Sequence, residues 1–292
     1  MAAARVLALL SAALVLTGCG ERGEPVDALS PYPATVPGAG GAPTVLERPP
    51  ERIVALTPAA AELVAALGAG GQLVGVPSGI DLPEAAGAAG VVRPSGLVDA
   101  DAARALRPDL VIASTETDPR ALEATADGSP VYVQPDRSIQ DVVRATLELG
   151  LLLGNPARAR ALATSIRDGQ ARVERRVRGQ PAVRVFADTG FFVSVGEETL
   201  AAELVRGAGG ELVGLDVSGS LDACDVLALQ PDVVLRILDE ESPRPFKLEF
   251  ERCGSASLPR VEDVATDLVT TAGPRVAKAL DTIARALHGD AS

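Results

Sequence analysis

The chain is 292 residues long, 47% hydrophobic and 23% charged, with a formal net charge of −12. That acidic balance argues against nucleic acid as a partner and fits an extracytoplasmic soluble body. His288 is the single histidine, and a directly bound transition-metal ion normally takes two or three imidazoles with carboxylates, so no metal site is expected.

Residues 1–18 place one positive charge, Arg5, ahead of an apolar core from Val6 to Leu16. These are the proportions of a secretory signal, too short for a good membrane span. Leu16-Thr17-Gly18-Cys19 resembles the bacterial lipobox, in which the cysteine is lipidated and becomes the mature N-terminus. A lipid on Cys19 would hold the protein at a membrane surface without a spanning segment. Residues 19–50 are rich in Pro, Gly and Ala and read as a flexible tether.

Residues 51–154 alternate short apolar runs with helical stretches, the mark of an α/β lobe. Strands are predicted at Arg52–Leu56, Leu73–Val76, Asp109–Ala113 and Val131–Val133. Helices are predicted at Ala59–Leu67, Ala100–Leu106, Arg120–Ala126 and Ile139–Leu153. Parallel sheets of this kind collect ligands at the carboxyl ends of their strands. Those ends are Thr57-Pro58, Pro77-Ser78-Gly79, Ser114-Thr115-Glu116 and Gln134-Pro135.

One long helix is predicted over residues 155–179, capped by Asn155, opened by Pro156 and ended by Gly179. Leu162, Ile166, Val173 and Val177 fall on one face of it, and Gly169 is an unfavourable interior residue. Residues 180–292 repeat the α/β scheme more loosely. Strands are predicted at Val183–Ala187, Glu211–Val213 and Asp232–Ile237, and helices at Leu200–Arg206, Val226–Leu229 and Val276–Leu287. Ser242–Ser257 reads as an irregular loop near the same cleft.

The two halves are copies of one pattern. Asp99–Ile112, DADAARALRPDLVI, is matched at a constant offset by Asp222–Leu235, DACDVLALQPDVVL. Glu62–Gly75, ELVAALGAGGQLVG, is matched with a short gap by Glu203–Gly214, ELVRGAGGELVG. The expected fold is therefore α/β: two similar Rossmann-like lobes with mostly parallel sheets, joined by one long α-helix. Cys224 and Cys253 remain beside Cys19, either bridged within the second lobe or present as two buried thiols.

Ile53–Leu63, IVALTPAAAEL, together with Leu106–Ile112, Gly209-Gly210 and the segment from Ala272-Gly273-Pro274-Arg275 to Leu287, resembles a known family. It is similar to the cluster A substrate-binding proteins of ABC importers for iron–siderophore, haem and cobalamin. The resemblance runs from Arg52 to His288 in the family's order. It implies ligand held between two lobes, little hinge motion, no catalysis, and docking of both lobes onto a membrane permease through acidic residues. Asp101 stands at the first-lobe docking place. Cys224 stands at the second, so its neighbour Asp225 is the substitute. Glu62 and Glu203, equivalent in the repeat and near helix starts, are either docking groups or helix-stabilising carboxylates.

Any metal should arrive already chelated. Cobalamin and haem pockets of the family tend to be lined by Trp and Tyr, and the chain has no Trp and 2 Tyr, so a ferric siderophore is favoured. Arg236, at the end of an apolar strand, suits an anionic ligand or pairs with Asp239 or Glu240. Phe191 and Phe192 lie at a cleft edge and Phe246 and Phe250 in the irregular loop, each either facing ligand or filling the core. The candidate ligand-binding set is thus Thr57, Pro58, Ser78, Ser114, Thr115, Phe191, Phe192, Arg236 and Phe246.

A catalytic domain fits less well. There is no GxSxG and no GxxxxGK[ST], and the glycines from Gly68 to Gly71 follow a helix instead of opening one. The expected protein is an extracytoplasmic, lipid-anchored, monomeric substrate-binding protein with a permease and a metal chelate as partners and no resident cofactor. The alternative is a lipid-anchored sensor or protein-interaction module of the same fold.

Overall fold

Two parallel sheets, one in each half of the chain, organise the computed structural model, which describes residues 32–217, 219–238, 246–254 and 257–289. The signal segment, Cys19, the start of the tether, Asp239 and Glu240 lie outside the described residues, as do the side chains of Phe246 and Lys247. No helix among the described residues is long and apolar enough to cross a membrane.

A short antiparallel pair comes first, β1 (Ala34–Val36) and β2 (Thr44–Leu46). This corrects the tether reading for its C-terminal part. Ala34, Val36 and Leu46 are buried in the core of the first lobe, and the Thr44 hydroxyl donates to the Val131 carbonyl at 2.6 Å. Strands this short, embedded among prolines and glycines, leave no periodic signal in the sequence.

The first lobe runs β3 (Ile53–Ala55), α1 (Pro58–Ala66), β4 (Leu73–Pro77), β5 (Ala89–Val92), α2 (Ala100–Ala105), β6 (Leu110–Ser114), α3 (Pro119–Ala126), β7 (Val131–Gln134) and α4 (Ile139–Leu152). Its five strands are all parallel in the order β5-β4-β3-β6-β7. The central strand β3 is buried along its whole length, which is why it reads as an unbroken apolar run. β5 was not expected; it is only four residues long and begins with Ala and Gly, both exposed at the sheet edge, so it lacks a β-branched run long enough to stand out.

Helix α5 (Pro156–Val177) then leads into β8 (Val183–Asp188), α6 (Leu200–Gly207), β9 (Gly210–Leu212), α7 (Ala223–Ala228), β10 (Val233–Leu238), α8 (Phe246–Glu251), β11 (Arg260–Ala265), α9 (Thr266–Thr270) and α10 (Val276–His288). The second sheet is parallel too, in the order β11-β10-β8-β9. The expected α/β class with two lobes and a connecting helix is the observed one. Three local expectations are corrected. The stretch read as irregular contains α8, α7 starts well before Val226 under the cap of Asp222, and β11 is an additional edge strand. β11 is interrupted by the charged residues Arg260, Glu262 and Asp263 and is largely solvent-facing, so it carries no apolar run.

The repeat persists in atomic detail. Asp99 caps α2 and Asp222 caps α7 through their side chains. Each helix ends on a residue in the left-handed region, Arg107 (φ 49°) and Gln230 (φ 53°), directly before Pro-Asp. The two aspartates of those Pro-Asp pairs, Asp109 and Asp232, accept from the backbone N–H of Arg52 and Arg184 at 2.8 Å. The guanidinium of Arg52 in turn donates to the Leu106 carbonyl, and that of Arg184 to the Leu229 and Gln230 carbonyls. Each lobe thus uses one arginine to satisfy the open end of one helix.

The 22 residues of α5 span about 33 Å at 1.5 Å per residue. Gly169, unfavourable by propensity, is explained by packing: a Cβ there would lie 2.6 Å from the Ala277 Cβ of α10. Gly150 of α4 makes the same close approach to Ala159 of α5. Helix α4 is shared between the lobes, with Ile139, Val142 and Val143 in the core of the second and Ala145, Leu149 and Leu152 in the core of the first. At roughly 1.5–3 kcal/mol for each large apolar side chain buried, this ties the lobes together without relying on polar contacts.

Cys224 and Cys253 form a disulfide with Cα atoms 5.4 Å apart, linking α7 to the turn after α8. His288 is engaged at 2.9 Å with the Ala208 carbonyl, a helix-end contact within the second lobe.

Candidate functional site

The carboxyl ends of β3, β4, β6 and β7 open onto a cleft whose far wall is built from the second lobe. Its largest part is a cavity of about 790 Å³ between α1, the Pro77–Glu84 stretch, α9 and the start of α10. Thr270 and Thr271 carry it into a central cavity of about 200 Å³, lined by Thr57, Pro58, Ser114 and Gln134. Glu116, Asp136 and Thr270 continue it into a third space of about 450 Å³ at the start of α6.

Of the sequence-derived ligand candidates, Thr57, Pro58, Ser78 and Ser114 line this cleft. Thr115 stands beside it, its hydroxyl donating to Asp136 at 2.8 Å. Thr57 also caps α1, accepting from the Ala60 N–H at 3.1 Å, which fixes the helix start at the cleft floor.

The candidates from the second lobe do not line these cavities. Asp188, Arg236 and Asp263 stand side by side across β8, β10 and β11, in the same register row. Arg236 is buried and grips both oxygens of Asp263 with Nε and Nη2, so its guanidinium is held by the neighbouring strand β11. Asp188 is fully buried, and burial pushes its carboxyl pKa up against the lowering effect of N–H donors from Gly190, Val193 and Phe192 and the charge of Arg236. Its Oδ1 anchors the turn in which Phe191 (φ 57°) and Phe192 (φ 58°) adopt left-handed backbone. Phe192 is buried against Phe250, ring centroids 5.9 Å apart, and Phe191 is 66% exposed. Phe246 falls in α8, and its side chain is outside the described residues.

Among the four acids expected to dock or cap, Asp101 and Asp225 are exposed in the first turns of α2 and α7. Asp101 pairs with Arg104 at 2.7 Å along its own helix. Glu62 and Glu203 act between the lobes instead. Glu62 is gripped by Arg275, the N-cap residue of α10, and Arg275 also reaches Asp267 at 3.1 Å. Glu203 accepts from the Ile139 N–H at the start of α4, at 3.2 and 3.3 Å to its two oxygens. Burial raises the Glu203 carboxyl above its ordinary value, partly offset by that N–H donor.

Glu116 and Gln134 fall at strand ends that the sequence marked, though neither was singled out as a ligand residue, and the sequence reading missed the cleft residues Asp136, Asp267, Thr270, Thr271 and Arg275. Thr266–Arg275 follows β11, a strand that the sequence did not show, so its place at a strand end was hidden. Among the described residues no group of His, Cys, Asp and Glu side chains is arranged to hold a metal ion.

Residues 53–220 match the model of a family described as periplasmic binding protein. The uncharacterized ABC transporter substrate-binding lipoprotein YvrC of Bacillus subtilis is 23% identical over 97% of this chain and 96% of its own. A cobalamin-binding protein of Halobacterium salinarum is 31% identical over 70% of this chain, a match that spans 58% of that protein. The crystal structure of the periplasmic vitamin B12 binding protein BtuF of Vibrio cholerae superposes with a TM-score of 0.70 at 20% identity, over 82% of this chain and 97% of its own. That last likeness concerns the fold.

Proposed function

Because the chain belongs to the periplasmic binding protein family, we propose that it is the extracytoplasmic, lipid-anchored substrate-binding protein of an ABC importer. It captures a chelated metal compound in the cleft between its lobes and hands it to a membrane permease. The observation that carries this reading is the cleft itself, at the carboxyl ends of the first sheet and closed by the second lobe. Its largest cavity, about 790 Å³, falls in the range of about 300–1,000 Å³ typical of small-molecule sites.

Binding, not chemistry, is the role assigned. The cleft holds Thr, Ser, Gln and carboxylate side chains but no nucleophile paired with a histidine base, since the single histidine is occupied at the far end of α10. The shared helix α4 and the paired inter-lobe contacts favour a cleft that stays largely formed between the empty and loaded states. Asp101 and Asp225, on equivalent helices of the two lobes, are the proposed contacts with the permease, and Cys19 is the proposed lipid attachment site.

A thermal-shift screen of the chain from Gly20 onward tests the reading against ferric siderophores, haem, cobalamin, cobinamide and free metal ions. A true ligand raises the midpoint with concentration by mass action. Stabilisation by a chelate class and not by free ions is the expected result. Stabilisation by free ions alone, or by no chelate at all, would overturn it.

A further inference from the structure

The walls of the cleft are far more acidic than the chain as a whole. Its described lining carries 7 carboxylates and 2 guanidiniums, against 39 acids and 27 bases overall. Both guanidiniums are already engaged: Arg137 by Glu198 at 3.0 Å, and Arg275 by Glu62 and Asp267. Asp81, Glu84, Glu116 and Asp136 form no ion pair among the described residues. Arg236, the residue expected to receive an anion, is held by Asp263.

A second, independent observation lies at the centre of the cleft. Gln134 is 1% exposed and lines the central cavity. Its Nε2 donates to the Ala272 carbonyl at 2.7 Å, and a carbonyl only accepts, so the amide orientation is fixed by chemistry. That leaves Gln134 Oε1 buried with no hydrogen-bond partner. A buried acceptor without a donor is destabilising, and a ligand N–H or O–H would remove that cost on binding. The acids and the amide oxygen therefore ask for the same chemistry.

We propose that the cleft selects a cationic, hydrogen-bond-donating metal chelate, with its charge facing Asp81, Glu84, Glu116 and Asp136 and one donor received by Gln134 Oε1. This rests on the reading of the cleft as a chelate site and narrows it by charge. Anionic ferric chelates, and haem with its two propionates, meet carboxylates on both walls.

The test is calorimetric titration of the full chain with two charge series. One series is ferrioxamine B as the cation, its N-acetyl derivative as the neutral form and its N-succinyl derivative as the anion. The other is aquocyanocobinamide, dicyanocobinamide and the corrinoid whose side-chain amides are free acids. Within a series that binds, the cation should bind at least about tenfold more tightly than the anion. The preference should shrink as salt rises from about 0.01 M to about 1 M, where the Debye length falls from about 30 Å to about 3 Å. Glu116→Gln combined with Asp136→Asn should reduce the cation's advantage over the neutral member of the same series about fivefold or more, and an undiminished advantage would overturn the charge inference. Gln134→Met, which fills similar space without an acceptor, should weaken the donor-bearing members about tenfold. Equal or tighter binding of the anion overturns the charge inference and leaves the chelate site standing. Failure of both series and of haem overturns the chelate site, and this inference with it.

Discussion

Glu62 and Arg275 clasp each other across the two lobes, Arg275 Nη2 lying 2.8 Å from Glu62 Oε1 and Nε 3.1 Å from Oε2. This two-point geometry sits where α1 of the first lobe meets the start of α10 in the second. Its counterpart in the repeat, Glu203, reaches the opposite way, from α6 of the second lobe to the start of α4 in the first. The duplicated acid thus braces the lobe interface from both sides, each time at the N-terminus of the other lobe's last helix, where a carboxylate is favoured by the helix dipole.

Replacing Glu62 with Ala should lower stability by about 1–3 kcal/mol in urea unfolding, since it strands a charge-assisted donor pair. Arg275→Lys should recover only part of the wild-type value, because an ammonium cannot span both oxygens. A wild-type midpoint for Glu62→Ala would show that the clasp is not coupled to folding.

Glu203 makes a prediction with a definite sign in pH. Burial raises its folded pKa above the ordinary 4.5, so its contribution to stability is fully present below about that value and is lost as pH rises through the raised folded pKa. Glu203→Gln keeps an acceptor for the Ile139 N–H and removes the ionisation. It should match or exceed the wild type at pH 7 and lose that advantage at pH 4. Glu203→Ala removes the acceptor as well and should cost about 1–2 kcal/mol at either pH. A Glu203→Gln protein less stable than the wild type at pH 7 would contradict the account.

The Cys224–Cys253 bridge closes a loop with a sequence separation of 29 residues. Its loss in a Cys224→Ser, Cys253→Ser protein should lower stability by about 2–4 kcal/mol, measured by denaturant unfolding with and without reductant. The cavities of the inter-lobe cleft do not include either cysteine, so ligand affinity should survive.

Charge reversal at the proposed docking acids separates delivery from capture. Asp101→Arg and Asp225→Arg should depress uptake in cells while leaving calorimetric affinity for ligand unchanged. Lost affinity would move these exposed residues into the binding site, against their place on α2 and α7.

Cys19→Ala should release the protein from the membrane fraction into the soluble one. A variant that still sediments with membranes would count against the lipobox reading.

Much of the architecture was legible because it is written locally. The buried runs of β3 and β10 and Pro156 opening α5 each act within a few residues, so propensity and periodicity expose them. The internal repeat then implied two lobes without any knowledge of their contacts. Two of the edge strands escaped, β5 because it is short and half Ala and Gly, and β11 because charged residues interrupt its apolar ones. The strand-end residues Thr57, Ser78 and Ser114 could be named because parallel strands present their carboxyl ends to one side.

What tertiary structure alone decided is which side chains meet across distance. Arg236 stood at a strand end, yet the neighbouring β11 supplied Asp263 to hold it. Gln134 stood at a strand end, and only the segment between α9 and α10 engaged its amide, through the Ala272 carbonyl, and left one oxygen unmatched. Glu62 and Glu203 looked like equivalent groups near helix starts, and the mutual orientation of the lobes turned them towards each other's helices. The sequence by itself determined the α/β repeat, because backbone geometry and burial periodicity are local. The charge and hydrogen-bonding character of the cleft was decided only by packing the two lobes against α4 and α5, because it depends on pairings between residues far apart in the chain.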